Sequence, residues 1–177
     1  MHKTIKELYK TIVVSIIYFL ALVIVASVIH ESGHAVAAVL IGVPVGEIQF
    51  SLRGLVPTTS IPPRFATSNL TIFHYAGGFT SGLILIIVYF LYWYKRYQKK
   101  PTQMNWCMGL ATAAAVGIEI FEGYMEGLFN AAYMQYANSN SGSGIIFPVL
   151  YSLAVIGAFL IHRILFPYSK IKLTALV

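Results

Sequence analysis

Charge is scarce in this sequence, and aspartate is absent from it. Only 10% of the 177 residues are charged, against about 25% in typical soluble domains, while 58% are hydrophobic and the mean hydropathy is +0.74. This balance excludes an ordinary soluble protein and predicts an integral, multi-pass membrane protein that is surrounded by a lipid bilayer. Because all six acidic residues are glutamates, any carboxylate that binds a metal ion must come from a glutamate.

Cysteine is almost absent as well. The single thiol, Cys107, excludes an internal disulfide and a metal site built from cysteines. The net charge of +6 comes from basic residues that flank the apolar segments rather than from a basic face, so we expect no nucleic-acid partner. We also expect a single domain over residues 1–177, and no cleavable signal peptide, because the first apolar segment is too long for one.

Four apolar segments are long enough to span a bilayer, at residues 11–41, 73–94, 104–136 and 145–166. Lysines and arginines cluster before the first segment, after the second and near the end of the chain, so the positive-inside rule predicts that both termini are cytoplasmic. Residues 43–72 contain four prolines and a stretch of alternating polarity, which predicts one or two short strands. The predicted fold is an all-α integral membrane bundle of four transmembrane helices, with a short β-hairpin insertion between helices 1 and 2.

The first apolar segment contains the sequence His30-Glu31-Ser32-Gly33-His34, an HExxH motif where a lipid-spanning helix should have no ionisable residue. Residues four apart lie on one face of a helix, so His30 and His34 can present two imidazoles to one metal ion. Zinc suits such a pair, and Glu31 lies beside them as a candidate general base. The competing interpretation is a pair of histidines that pack between helices. We predict a site for one zinc ion.

A catalytic zinc site needs a third protein ligand and an open position for water. Three glutamates, Glu119, Glu122 and Glu126, fall inside the third predicted span and near one helical face, since separations of three, four and seven residues return to similar angles. An ionisable group at the bilayer centre costs on the order of 3 kcal/mol, so three on one helix need a reason.

Depth along the helices narrows this choice. Counted from the inner ends of their spans, Glu122 and Glu126 lie at about the level of the two histidines, and Glu119 lies about one turn shallower. Either Glu122 or Glu126 is therefore predicted to bind the metal, with the other accepting a hydrogen bond from a histidine. Glu119 is expected to form an interhelical hydrogen bond or to stay neutral.

The predicted strand region offers a way to hold a substrate. An extended peptide can add to an exposed strand edge through backbone hydrogen bonds, and Gly46, Ile48 and Phe50 are the candidate residues for this contact. A hairpin that merely joins two helices explains the same pattern. Asn130, one turn beyond Glu126, is a further candidate for binding a substrate backbone, although asparagines also join neighbouring helices.

Small residues in the second and third spans predict close helix packing. Gly78 with Gly82, and Gly123 with Gly127, form small-xxx-small pairs that let two backbones approach each other. His74 and His162 lie near span ends, are expected to face the membrane interface and are assigned no chemistry.

Together these motifs resemble the site-2 protease family of intramembrane zinc metalloproteases. The HExxH motif carries the resemblance, with Ala76-Gly77-Gly78 at the start of the second span and a Glu-Gly element in the third, over about residues 17–136. The resemblance implies a three-helix catalytic core and cleavage of a substrate in or near its transmembrane segment.

The same resemblance assigns functional residues. It implies that zinc is held by His30, His34 and an acidic residue, and that Glu31 is the general base. The family usually supplies its third ligand from an Asp-Gly element with an upstream asparagine and proline. In this sequence Glu122 and Glu126, each followed by glycine, compete for that position.

The sequence thus predicts a zinc metalloendopeptidase that hydrolyses peptide bonds in or near transmembrane segments of membrane-protein or peptide substrates. The alternative is a non-enzymatic membrane metal-binding protein, such as an ion-transport or regulatory subunit. A third hypothesis is a degenerate relative of the proteases that acts as a chaperone for membrane segments. Glu31 separates the first two, because hydrolysis needs a base beside the metal and an ion path does not. Nothing in the sequence indicates an oligomer.

Overall fold

The structure, a computed structural model, describes residues 2–53, 56–65, 70–138 and 146–167, without the side chains at 2–4, 53, 56, 130–138, 146–148 and 150. Its helices are α1 (His2–Leu40), α2 (Leu70–Val88), α3 (Lys95–Lys99), α4 (Gln103–Asn138) and α5 (Ile146–Leu165). Its strands are β1 (Gln49–Arg53) and β2 (Val56–Ser60), and a π-helical segment, Tyr89–Tyr94, joins α2 to α3. The predicted helical bundle with a small sheet between its first two long helices is confirmed.

The first helix, α1, runs without a break through the HExxH motif, since it contains no proline. It ends where Gly42 adopts a positive φ of 94°. The N–H of Val43 donates to the carbonyl of Ala38 at 2.9 Å, and the N–H of Gly42 donates to the carbonyl of Val39 at 3.0 Å. This is the Schellman pattern of a glycine C-cap, and Pro44 then prevents the helix from continuing.

The hairpin is a two-stranded antiparallel sheet in which Phe50 pairs with Thr59. β1 begins at Gln49, and the earlier part of the stretch of alternating polarity forms a 3-10 turn at Val45–Glu47 instead of a strand. Pro44, with φ −59° and ψ 136°, is the N-cap of this turn, and the N–H of Glu47 donates to its carbonyl at 2.9 Å.

The first and fourth helices pack in parallel. Tyr18 of α1 forms a hydrogen bond with Thr112 of α4 at 2.9 Å, and His30, farther along α1, contacts Glu119, farther along α4. Residue numbers therefore rise together along the two helices. This parallel packing brings the HExxH motif and the glutamates of α4 to the same level, as the depth comparison required.

Three helical stretches are long and apolar enough to cross a membrane: Ile5–Leu40, Leu70–Lys99 and Gln103–Phe129. They correspond to three of the four predicted spans. The fourth predicted span is a helix, but its described apolar part, Tyr151–Leu165, is shorter than the other three. The surface of α1 exposes a row of large aliphatic side chains, an arrangement typical of a helix in contact with lipid. This row includes Ile16, Ile17, Leu20, Ile24 and Val25.

Two buried clusters close the bundle on either side of the glutamates. One, here named the aromatic cluster, consists of Tyr89, Trp93, Tyr97, Ala113 and Phe166. The other lies beneath the hairpin and consists of Ala37, Ala38, Val43 and Phe73. The HExxH motif lies between them, and its two histidines are buried, whereas Glu31 is partly exposed and Ser32 is exposed.

Candidate metal centre

Two imidazoles from α1 and one carboxylate from α4 converge on one point. The Nε2 atoms of His30 and His34 lie 3.2 and 3.3 Å from Oε2 of Glu126. The three side chains are 6, 8 and 14% exposed, so water screens their charges only weakly. The four-residue separation of the histidines explains the convergence, because it places both on the face of α1 that meets α4.

The second nitrogen of each imidazole has an acceptor of its own. Nδ1 of His30 lies 3.0 Å from Oε2 of Glu119, and Nδ1 of His34 lies 2.7 Å from the carbonyl oxygen of Phe73. An imidazole that donates through Nδ1 keeps the lone pair of Nε2 free to bind a cation. Metal-binding histidines generally have such a partner on their other nitrogen.

Glu119 is held by donors from two other helices. The residue is only 4% exposed, and its Oε2 faces Nδ1 of His30 and accepts a hydrogen bond from the Ser81 hydroxyl at 2.5 Å. Burying a charged carboxylate without partners is costly, so this pairing matters for the fold. It also fixes the orientation of the His30 ring.

Glycines let α2 approach the two imidazoles. A methyl group on Gly77 would overlap the rings of His30 and His34. A methyl group on Gly78 would overlap the backbone of α4 at Gly123. The close approach of the second and third spans that these glycines predicted is therefore confirmed at Gly78 and Gly123. Any larger residue at either position would push α2 away from the site.

The three converging atoms could hold a metal ion such as zinc. Zinc binds nitrogen and oxygen ligands at about 2.0–2.2 Å in a tetrahedral arrangement, so neighbouring ligand atoms lie about 3.3 Å apart. Two of the three ligand-to-ligand distances, from the two Nε2 atoms to Oε2 of Glu126, are 3.2 and 3.3 Å and agree with this spacing. Two imidazoles and one carboxylate also leave one tetrahedral position for water, as in catalytic zinc sites.

Two other sets of candidate ligand atoms lie within 4.8 Å of one another: His30 with Glu31 and His34, and His30 with Glu119 and Glu122. In the second set, Glu119 already contacts Nδ1 of His30, the nitrogen that faces away from the point of convergence. In the first set, a carboxylate oxygen of Glu31 lies within 4.8 Å of ring nitrogens of both histidines. The two Nε2 atoms and Oε2 of Glu126 could therefore hold an ion, with Glu31 close by.

The hairpin lies beside Glu31. The hydroxyl of Thr59 in β2 donates to the carbonyl oxygen of Glu31 at 3.0 Å. Phe50 is the cross-strand partner of Thr59, so both side chains project from the same face of the sheet. Because Phe50 is 63% exposed, this face offers an open aromatic ring next to the HExxH motif.

Of the two predicted third ligands, Glu126 rather than Glu122 lies against both Nε2 atoms. The helical angle explains why. Residues seven apart differ by about 20° around a helix, so Glu119 and Glu126 share one direction and contact the two nitrogens of His30, whereas Glu122 is rotated about 40–60° from them. Glu122 still lies near His30 and Glu119.

The residues predicted to bind substrate differ in their secondary structure and in their exposure. Gly46 lies in the 3-10 turn, and a methyl group there would meet no atom within 4 Å. Ile48 packs against the buried cluster beneath the hairpin, and Phe50 is exposed on β1. Asn130 belongs to α4, but its side chain lies outside the described residues.

The interfacial position expected of His74 stays a prediction; the residue is partly exposed, and its Nε2 atom is buried. Helix α2 begins at Leu70, one turn before His74 and earlier than predicted. His162 was also expected at the interface, but it is 0% exposed and forms a 3.0 Å hydrogen bond with Tyr89, because the end of α5 packs into the aromatic cluster.

The parts played by Ser81 and Gly77 were missed as well, since serine and glycine are common in membrane helices and carry no spacing signal. The sequence did contain a signal for the two glutamates that contact His30. Glu119 and Glu126 are seven residues apart and so point in nearly the same direction, and an imidazole has two ring nitrogens that each need a partner.

No protein-family model, no curated protein and no solved structure matches this chain. The candidate function therefore follows from the atoms around His30, His34 and Glu126 and from the chemistry that such atoms support.

Proposed function

We propose that this protein is an intramembrane zinc metallopeptidase that hydrolyses peptide bonds in or near the transmembrane segments of its substrates. One observation carries the proposal: two Nε2 atoms and a carboxylate oxygen meet at zinc-ligand spacing, with Nδ1 of both imidazoles already paired. His30, His34 and Glu126 would hold the ion. The HExxH motif and its resemblance to the site-2 protease family support the same conclusion.

The bound zinc would act as a Lewis acid that acidifies a water molecule and polarises the scissile carbonyl. Glu31 takes a proton from the attacking water as the new C–O bond forms. It then delivers protons to the leaving nitrogen as the C–N bond breaks, so that a carboxylate and an amine result. Glu119 holds the ring of His30 in place throughout, through Nδ1.

The hairpin is proposed to hold the substrate in an extended conformation. Peptide carbonyls in a helix are covered by their own hydrogen bonds, so a transmembrane substrate must unwind before it is cleaved. Within the described residues β1 pairs only with β2, which leaves its other edge free to bind a strand. The exposed ring of Phe50 adds apolar contact close to Glu31.

We further propose that the protein is a multi-pass membrane protein with both termini in the cytoplasm. The basic residues Lys95, Arg96 and Lys99 lie at the end of the bundle where α4 begins, and basic residues also precede the first apolar segment. By the positive-inside rule this end is cytoplasmic. The candidate metal centre then lies nearer the outer side.

Replacing Glu31 by glutamine tests the proposed function. Purified protein in liposomes is assayed for zinc content and for cleavage of a quenched fluorogenic peptide with a leucine-rich transmembrane segment. We expect one zinc per chain in both proteins, and a cleavage rate that is about 10²- to 10⁴-fold lower in Glu31→Gln, because the base is lost.

The same experiment distinguishes the proposed peptidase from the alternative, a non-enzymatic membrane metal-binding protein. An ion path or a storage site has no need of a base, so the wild type would then bind zinc without cleaving the peptide. Equal cleavage by wild type and Glu31→Gln would contradict the assignment of Glu31, and the absence of zinc from the wild type would contradict the metal centre.

A further inference from the structure

His74 has a buried ring nitrogen that lacks a partner. Its Nε2 atom is shielded from solvent, and no hydrogen-bond partner lies near it among the described residues. Buried polar atoms in proteins nearly always have a partner, and a native exception commonly points to an ion, a water molecule or a ligand. Neither the metal centre nor the proposed roles of the other residues use this nitrogen.

The packing of α2 against α4 shows where His74 lies. Gly78 meets Gly123, and one turn earlier in α2 the ring of Tyr75 meets Gly127. The two helices are therefore antiparallel, and the turn of α2 that contains His74 lies at the level of Glu126 and Gly127. The ring of His74 accordingly interacts electrostatically with Glu126.

The helical position of His74 places it at the junction of three helices. Gly77, three residues later, touches the imidazoles of α1, and Gly78, four residues later, touches the backbone of α4. Residues three and four apart lie on the same face, so His74 belongs to the face of α2 that meets both helices. Its ring also interacts electrostatically with His34.

We propose that His74 is a further catalytic residue, whose Nε2–H donates a hydrogen bond to the substrate oxygen that becomes negatively charged when water attacks the scissile carbonyl. This inference rests on the proposed peptidase function. A donor placed in advance where charge develops stabilises the transition state strongly, above all in a site that excludes water. The unpaired nitrogen, in the turn of α2 that lies level with Glu126, is such a donor, and its partner would be the substrate.

His162 provides a matched control. Among the described residues, its Nε2 atom is also buried without a hydrogen-bond partner, and the neighbours of its ring are the aromatic rings of Trp106 and Phe166. If the loss of any buried, unpaired imidazole nitrogen weakened binding of a transition-state mimic, substitutions of the two histidines would weaken it equally. If the position of the nitrogen near the metal centre is what counts, only substitutions of His74 weaken it.

The test uses the zinc-loaded full chain and a phosphinic peptide with leucine on both sides, because its tetrahedral phosphorus oxygens mimic the charged intermediate. Calorimetry measures the affinity for zinc and then for the phosphinic peptide in wild type, His74→Ala, His74→Gln and His162→Gln. We expect zinc affinity to change by less than about threefold in all variants. Affinity for the phosphinic peptide should fall about 10²- to 10³-fold in His74→Ala, the usual loss for one oxyanion donor.

The glutamine variant keeps the test valid if alanine disturbs the fold. His74→Gln retains an N–H donor and should recover part of the affinity for the phosphinic peptide, and His162→Gln should match the wild type. Unchanged affinity for this peptide in His74→Ala would overturn the proposal. Loss of zinc from that variant would overturn it too, because His74 would then be a metal ligand. Failure of the wild type to bind zinc would instead contradict the proposed function itself.

Discussion

The two ends of the bundle each bury a histidine, and the two histidines differ in every partner. His30 has a carboxylate on each ring nitrogen, from Glu119 and Glu126. His162 is stacked on Phe166, with ring centroids 4.3 Å apart, and bonds the hydroxyl of Tyr89. One histidine is surrounded by acceptors that suit a cation, and the other by aromatic rings that suit packing.

This difference indicates that the two ends of the bundle contribute differently to the fold. The aromatic cluster contributes large, fully buried side chains such as Tyr97 and Phe166, both 0% exposed, which stabilise the bundle by burying apolar area. The end with the HExxH motif has carboxylates where apolar side chains would be more stable, and it relies on glycines for close packing. We infer that the aromatic end stabilises a fold whose other end is specialised for chemistry.

The largest effect is expected from removing the carboxylate that meets both Nε2 atoms. Glu126→Ala should weaken zinc binding by more than about 100-fold. Losing a residue that only hydrogen-bonds a metal ligand lowers metal affinity by about 10- to 100-fold, and the loss of a ligand itself should exceed that. Glu122→Ala, on the same helix, should weaken it much less. Zinc titration by calorimetry measures both. Equal losses would mean that the two glutamates share the ion.

Proline substitutions in β1 test whether the free edge of this strand, beside the HExxH motif, binds the substrate. In a strand, successive N–H groups point to opposite neighbours, so Phe50→Pro and Ser51→Pro remove donors from different edges of β1. We expect one of the two to reduce cleavage of the fluorogenic peptide by about 10-fold or more while zinc content stays at the wild-type level. Unimpaired cleavage by both variants would show that the free edge of β1 does not hold the substrate.

A smaller effect is expected from the outer partner of His30. Glu119→Gln should weaken zinc binding by about 10- to 100-fold, because the ring of His30 loses its charged acceptor. Thr112→Val is the control, since it removes a buried interhelical hydrogen bond to Tyr18 near the aromatic cluster without touching the site. Zinc affinity should not change in the control. If both variants lose zinc alike, the effect comes from the bundle as a whole.

The smallest effect is expected on the stability of the fold. Gly78→Ala would place a methyl group against the backbone of α4 and should destabilise the fold by about 1–3 kcal/mol. Gly157→Ala in α5 meets no atom within 4 Å and should be neutral or stabilising by up to about 1 kcal/mol, because alanine favours helix. Unfolding in mixed micelles measures both, and equal destabilisation would contradict close packing of α2 on α4.

Much of the fold could be predicted because its signals are local. Long apolar segments, the prolines of residues 43–72 and the basic residues at segment ends fix the helices and the hairpin between the first two. The start of β1 was misplaced because a 3-10 turn capped by Pro44 precedes it. The start of α2 was misplaced as well, since the helix begins at Leu70 rather than at residue 73.

The candidate site could be predicted only in part. The spacing of His30 and His34 identified the two imidazoles, and the parallel depth of α1 and α4 brought the right glutamates near them. The choice between Glu122 and Glu126 depends on tens of degrees around a helix, which spacing alone does not resolve. The hydrogen bond from Ser81 to Glu119 and the burial of the Nε2 atom of His74 arise from the packing of distant segments, and no local pattern reveals them.

The central claim is that one zinc ion is bound by two imidazoles and the carboxylate of Glu126. X-ray absorption at the zinc edge, on purified wild type and Glu126→Gln, tests it most directly. We predict one zinc per chain with only nitrogen and oxygen neighbours at about 2.0–2.2 Å, and a lost or altered signal in the variant. A sulfur neighbour from Cys107, or an identical spectrum in Glu126→Gln, would contradict the claim.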